Sequence, residues 1–161
     1  DSSYLPSRLN LGAILIEYLD YDRANAAFKQ AVTIASDHCV ANLGYAATQY
    51  ATAKFEESAK HYTYYVEECD TKHIPSYERL AKLYESRLNQ PAKAIEKYRQ
   101  LVSLTQDKTK KDEHKAMIKF LENQMKTKKP KQPEPAAEGK DTDAPAQEEG
   151  GEEAPDGAKE D

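Results

Sequence analysis

Apolar residues recur three and four positions apart along most of this chain, the period of a helix with one buried face. Over residues 8–19 the stripe is Leu11, Gly12, Leu15 and Leu19, and over 22–35 it is Ala24, Phe28, Ala31 and Ile34. Val40, Leu43, Gly44, Ala47 and Ala51 predict a third helix, and Phe55, Ala59, Tyr62 and Val66 a fourth. Leu80, Ala81, Leu83, Tyr84 and Leu88 mark a fifth, and residues 92–104, AKAIEKYRQLVSL, a sixth. A seventh is expected over 109–126, opened by Thr109 and Asp112 in the spacing of a capping box, with Met117, Ile118, Leu121 and Met125 as its apolar side. Polar punctuation separates the stripes: Asp20-Tyr21-Asp22, Ser36-Asp37, Thr52, Asp70-Thr71 and Asn89-Gln90-Pro91. No segment alternates with period two, and Gly and Pro are nearly absent from the interiors. The expected class is all-α.

The even-numbered helices repeat one another. A small residue is followed four positions on by an aromatic and three further on by another packing residue: Ala24/Phe28/Ala31, Ser58/Tyr62/Tyr65 and Ala94/Tyr98/Leu101. The aromatic anchors Phe28, Tyr62 and Tyr98 thus recur at nearly equal steps, the second step two positions longer than the first. Self-similarity at a period of about 34 residues marks a solenoid, in which each helix hairpin buries its apolar face against the next.

With these residues the chain resembles the tetratricopeptide repeat (TPR) family, whose unit is a helix hairpin with a Leu-Gly pair and a large apolar residue in its first helix. The matching first-helix residues are Leu11-Gly12-Leu15, Leu43-Gly44-Ala47 and Leu80-Ala81-Tyr84. The resemblance implies a right-handed superhelical stack of about seven helices. Three repeats at about 6–36, 37–70 and 72–105 and a capping helix at about 109–126 make a domain over 1–127. The family's Trp is absent, and Ser36 and Asp70 stand where its repeat-ending Pro is usual. Leu43 to Ser58 is two positions longer than Leu11 to Ala24, so an extended turn is expected inside the second repeat.

The family's concave surface, lined by first helices, implies a non-catalytic protein–protein interaction module. It would be an adaptor or assembly factor in a larger complex, holding a partner's peptide or helix. The residues expected to line the groove are Ala13 and Glu17, then Asn42, Tyr45 and Gln49, then Arg79 and Lys82. The lysine-rich clamp with which some members hold an acidic chain terminus aligns with Leu9, Ala13, Asn42, Pro75 and Arg79. Both lysines are missing, so that use is rejected. The alternative is a structural subunit, or a fragment of a longer array, that stacks or self-associates through its N-terminal helix.

Cys39 opens one helix of the second hairpin and Cys69 closes the other, which puts both thiols at the same end. Two readings stand. A bridge would lock the hairpin and imply a periplasm or other exported compartment; two reduced, half-buried thiols would fit the cytoplasm. His38 and His73 lie near the same end, but neither paired motif of known zinc sites is present, and no metal is expected.

Charge changes the picture only at the C-terminus. Nine lysines between Lys108 and Lys131 face three acids, and the run is read as the solvated side of a capping helix, with no nucleic-acid partner. Residues 133–161 hold eleven acids, two lysines and no Leu, Ile, Val, Phe, Tyr or Met. The stretch 128–161 is therefore read as a disordered Lys-then-acidic tail. No apolar run is long enough to span a bilayer, so no transmembrane segment is expected, and no signal peptide is recognised. No Ser/His/Asp cluster, paired carboxylates or phosphate loop emerges, so neither enzyme activity nor a cofactor is expected.

Overall fold

The computed structural model describes residues 4–127, and the expected disorder over 128–161 concerns residues outside that range. Seven helices follow in order: α1 (Leu5–Glu17), α2 (Tyr21–Ile34), α3 (Cys39–Ala51), α4 (Phe55–Tyr64), α5 (Ile74–Lys82), α6 (Pro91–Leu104) and α7 (Lys108–Thr127). α4 runs on into a π turn at Tyr65–Cys69, and α5 into another at Leu83–Arg87. No strand occurs among the described residues. α1/α2, α3/α4 and α5/α6 pack as hairpins, and α2 also packs on α3 and α4 on α5. α2 and α4 are thereby each shared between two hairpins, and α7 covers α6.

The turns set the register. Each first helix ends on a residue with left-handed backbone: Leu19 (φ 60°), Ala53 (φ 59°) and Asn89 (φ 50°). The next backbone N–H then donates back into the helix, from Asp20 to Leu15 O, Lys54 to Gln49 O and Gln90 to Tyr84 O. Such closures satisfy carbonyls that the helix end leaves unpaired. Leu19 therefore belongs to a turn and is exposed, outside the stripe on which the periodicity put it.

The step from Leu19 to Ala53 equals the step from Phe28 to Tyr62. Carried into the first helices, it matches Leu11-Gly12-Leu15 with Tyr45-Ala46-Gln49, two positions beyond the expected Leu43-Gly44-Ala47. The packing agrees. Ser58 Oγ donates to Ala46 O at 2.8 Å, so the small pair of this hairpin is Ala46 with Ser58. Gly44 faces the preceding hairpin instead, against the ring of Phe28. Two positions turn a helix by about 200°, so the correction exchanges the faces of α3. It also removes the extended turn, since Gly12 to Ala24 and Ala46 to Ser58 are equal intervals.

The π turns explain why the next period is longer. Tyr62 to Leu80 exceeds Phe28 to Tyr45 by one position, and Ala81 to Ala94 exceeds Ala46 to Ser58 by one. The turn at Tyr65–Cys69 lies in the first of these intervals and the turn at Leu83–Arg87 in the second. A π turn accommodates one inserted residue without ending the helix.

The core runs through Ala46, Tyr62, Val66, Leu80, Leu83, Tyr98 and Leu101 and is closed by Leu121, with Met117 and Ile118 beside it. Phe28 is wedged between Gly12 and Gly44, where an added Cβ at Gly12 would come within 2.6 Å of its ring and one at Gly44 closer still. Asp20 caps α2, its carboxylate accepting from the Arg23 N–H. His38 caps α3, its Nδ1 accepting from the Ala41 N–H. Asp107, accepting from the Thr109 and Lys110 N–H groups, serves the start of α7 in place of the expected capping box.

Candidate functional site

Two sides of α3 are consumed by packing. Asn42, Ala46 and Gln49 turn toward α4. Asn42 donates to Ser36 O (2.8 Å) and His38 O (3.1 Å), and its Oδ1 lies 2.8 Å from His61 Nδ1. Both amide hydrogens are spent on carbonyls, so His61 must be the donor at Nδ1. Gly44 and Thr48 turn toward α2, Gly44 against Phe28 and Thr48 as acceptor from Asn25 Nδ2 at 3.1 Å. Val40, Leu43, Ala47 and Tyr50 remain, each exposed or half-buried. They form one stripe at intervals of three, four and three.

The same positions in the neighbouring first helices are Pro6, Leu9, Ala13 and Ile16 in α1, and Pro75, Glu78, Lys82 and Glu85 in α5 and its π turn; none is fully buried. Beyond them, Glu78 and Lys82 border a cleft of about 250 Å³ with Tyr98, Lys110, Glu113, His114 and Met117. The first-helix stripes are apolar over α1 and α3 and charged over α5, where the cleft with α7 lies.

The expected groove residues divide. Ala13, Glu17, Arg79 and Lys82 are exposed on α1 and α5. Asn42 and Gln49 are buried and Tyr45 is half-buried edge-on to His61, with ring centres 4.8 Å apart; all three belong to the hairpin side of α3 and leave the groove assignment. The difference of two positions in register is the reason. The partly open stripe that sequence reasoning missed is Val40, Leu43, Ala47 and Tyr50; the periodicity assigns the first three to the core, which Leu43 and Ala47 do edge. Extending the Phe28-to-Tyr62 step to the first helices would have found them.

Polar contacts fix the charged half. The Arg79 guanidinium sits over the Tyr50 ring, 4.3 Å from its centre, bridging the apolar and charged parts. Tyr98 Oη donates to Glu85 Oε2 at 2.6 Å. Burial first, and then the Glu85 carboxylate, push the Tyr98 hydroxyl well above its ordinary range, so it stays a donor. Burial also raises Tyr62, against the partial pull of Arg79. His61 is lowered by burial and by Lys60, with Glu57 opposing, which favours the neutral ring facing Asn42 and Tyr45.

Cys39 and Cys69 are joined in a disulfide, with Cα atoms 5.7 Å apart, tying the start of α3 to the end of the second hairpin. Neither sulfur is then a thiolate ligand. No group of three His, Cys, Asp or Glu among the described residues is placed to hold a metal ion. No described helix is long and apolar enough to cross a membrane.

No family model and no curated sequence matches the chain. Solved structures do. The Yersinia enterocolitica type III secretion translocator chaperone SycD superposes with a TM-score of 0.63 at 15% identity, over 78% of this chain and 88% of that one. The first TPR of Spaghetti (RPAP3), solved with the HSP90 peptide SRMEEVD, gives 0.62 at 13% identity over 78% and 96%. The Sgt2 TPR domain from Aspergillus fumigatus gives 0.57 at 18% identity over 87% and 90%. At these identities the likeness establishes the fold: a stack of tetratricopeptide-type hairpins closed by a seventh helix.

Proposed function

We propose that this chain is a non-catalytic binding module that holds a peptide or helix of a partner protein along the groove of its first helices. The observation that carries the reading is the stripe of Val40, Leu43, Ala47 and Tyr50, on the side of α3 that α2 and α4 do not cover: Val40 is exposed, and Leu43, Ala47 and Tyr50 edge the core half-buried. It is apolar, it lies on rigid helices, and a preformed surface loses little freedom on binding. SycD has been solved with a peptide of the translocator YopD, and the RPAP3 repeat with an HSP90 peptide, so the fold supports such use.

The ligand differs in kind from an acidic chain terminus. At the corrected register the five clamp positions are Leu9, Ala13, Gly44, Pro75 and Arg79, and only Arg79 suits a carboxylate. The groove favours a segment with apolar anchors over α1 and α3 and a polar, mixed-charge end over α5 and α7. The Cys39–Cys69 bridge supports work in an oxidising compartment.

The test is selection of a displayed random-peptide library on the full chain. Enriched peptides should carry apolar side chains at one end and charged ones at the other. Ala47→Glu should weaken them about tenfold or more, and Lys29→Ala, on the opposite layer, should not. An absence of enriched peptides, or binding indifferent to Ala47→Glu, would remove the groove.

A further inference from the structure

The cleft between α5 and α7 sorts its charges by depth. Lys82, Lys110 and Glu113 are exposed around it, while Glu78 is half-buried in its wall. Glu85, also half-buried, accepts from Tyr98 Oη at 2.6 Å, so a second carboxylate stands at the hydroxyl end of the Tyr98 ring. The acids Glu78 and Glu85 thus sit deeper than either lysine. An exposed ammonium on a four-carbon stem can swing into water, but a half-buried carboxylate on a short stem stays in place. A cation entering the cleft pushes the lysines aside and meets fixed acids. An anion would meet the same acids at depth. Among the described residues neither Glu78 nor Glu113 is in an ion pair.

The rest of the deep lining suits a flat cation. Tyr98 is buried there, its ring centre 5.7 Å from that of His114, with Met117 beside them. Aromatic faces attract cations. The chain uses that attraction elsewhere: Arg79 lies over Tyr50 at 4.3 Å, and Arg87 over Phe55 and Lys93 over Tyr84 at 5.3 Å. Tyr98 carries no such cation among the described residues. The stretches 1–3 and 128–161 contain no arginine, and Arg99 is held by Glu122 at 2.8 Å, so the chain has no guanidinium to spare for this cleft.

We propose that the cleft holds one arginine side chain of the partner. Its guanidinium stacks on the Tyr98 ring and pairs with Glu78, and its methylenes cover Met117. A guanidinium lies flat on a ring and grips a carboxylate with two parallel bonds, which an ammonium does not, so arginine is preferred over lysine. The cleft, about 250 Å³, has room for one large side chain. That the arginine arrives on a bound peptide rests on the groove reading above; the cleft itself can be tested without a peptide.

The test is amide NMR of the full chain titrated with N-acetyl-arginine amide. Shifts should centre on Tyr98, His114 and Met117, with a dissociation constant in the millimolar range expected of a single side chain. N-acetyl-lysine amide should bind more weakly, and N-acetyl-glutamate amide should leave these signals in place. Glu78→Gln should weaken the arginine about threefold, and Lys82→Gln should tighten it. Should Glu78→Gln lose its helical signal, Glu113→Gln, at an exposed position, should weaken binding in the same direction. No shifts with the arginine compound, stronger shifts with the glutamate compound, or the reverse order of the two variants would overturn the proposal. So would selected peptides that depend on Ala47 yet carry no arginine, an outcome that leaves the groove intact. A chain that enriches no peptide but binds the capped arginine supports the cleft and removes the groove.

Discussion

Ala46 and Ala47 are neighbours of identical chemistry with opposite positions. Ala46 is fully buried where Ser58 approaches its carbonyl, and Ala47 is half-buried on the groove stripe. The hairpin side of α3 takes a small residue at the point of closest approach and an Asn42 whose amide is fully paired, while the buried Gln49 Oε1 on the same side has no partner among the described residues. An unpaired polar group there would cost about 1–3 kcal/mol. The groove side has no such requirement, since water satisfies whatever sits on it. The difference separates what holds the fold from what is free to recognise a partner, on a single helix.

Substitutions on the hairpin side should therefore act on stability, and those on the groove side on binding. The largest effect is expected from the bridge. Cys39 and Cys69 close a loop of sequence separation 30, worth about 3–4 kcal/mol in the chain-entropy picture. Cys39→Ser with Cys69→Ser should lower unfolding stability by up to that amount in urea titrations. Peptides selected on the groove should still bind under conditions where the variant is folded. Gly44→Ala comes next. The Phe28 ring is held by Gly12 on its other side and cannot retreat, so overpacking of about 2–3 kcal/mol outweighs the roughly 1 kcal/mol that Ala gains over Gly in a helix.

Acid should expose the hairpin side more gently. The His61 ring is held below its ordinary pKa in the fold, so the unfolded chain takes up the proton first. Stability fully present above about pH 6.5 should fall as pH drops toward 5, and His61→Gln should flatten that slope in urea titrations at each pH. The smallest effect has the opposite sign. Ala53 holds a left-handed backbone that an L side chain resists, and Ala53→Gly should stabilise by about 0.5–1 kcal/mol, read as a higher melting temperature.

The second helices were legible from sequence because their aromatic anchors, Phe28, Tyr62 and Tyr98, are large and each is preceded by a small residue four positions earlier. The cysteine pair was legible because an antiparallel hairpin places its outer ends together. The register of α3 was obscured by a coincidence: Leu43-Gly44 imitates Leu11-Gly12, and both glycines do face Phe28, one from its own hairpin and one from the next. That imitation put Asn42, Tyr45 and Gln49 into the groove and took Val40, Leu43 and Ala47 out of it. The π turns left no mark in composition, since one residue inserted in a continuous helix requires neither Gly nor Pro. Their trace is arithmetical: the step from Tyr62 to Tyr98 is longer by two than the step before it.

The register of α3 is the claim on which the groove depends, and a pair of adjacent substitutions tests it most directly. Ala46→Glu and Ala47→Glu, each followed by urea unfolding, carry the same change on neighbouring positions. Ala46→Glu should cost about 3 kcal/mol or more, because it forces an unpaired charge into the hairpin contact. Ala47→Glu should stay within about 0.5–1 kcal/mol of the parent, since its side chain can reach solvent from the groove. A tolerated Ala46→Glu beside an unfolded Ala47→Glu would return Leu43-Gly44-Ala47 to the hairpin and contradict the account.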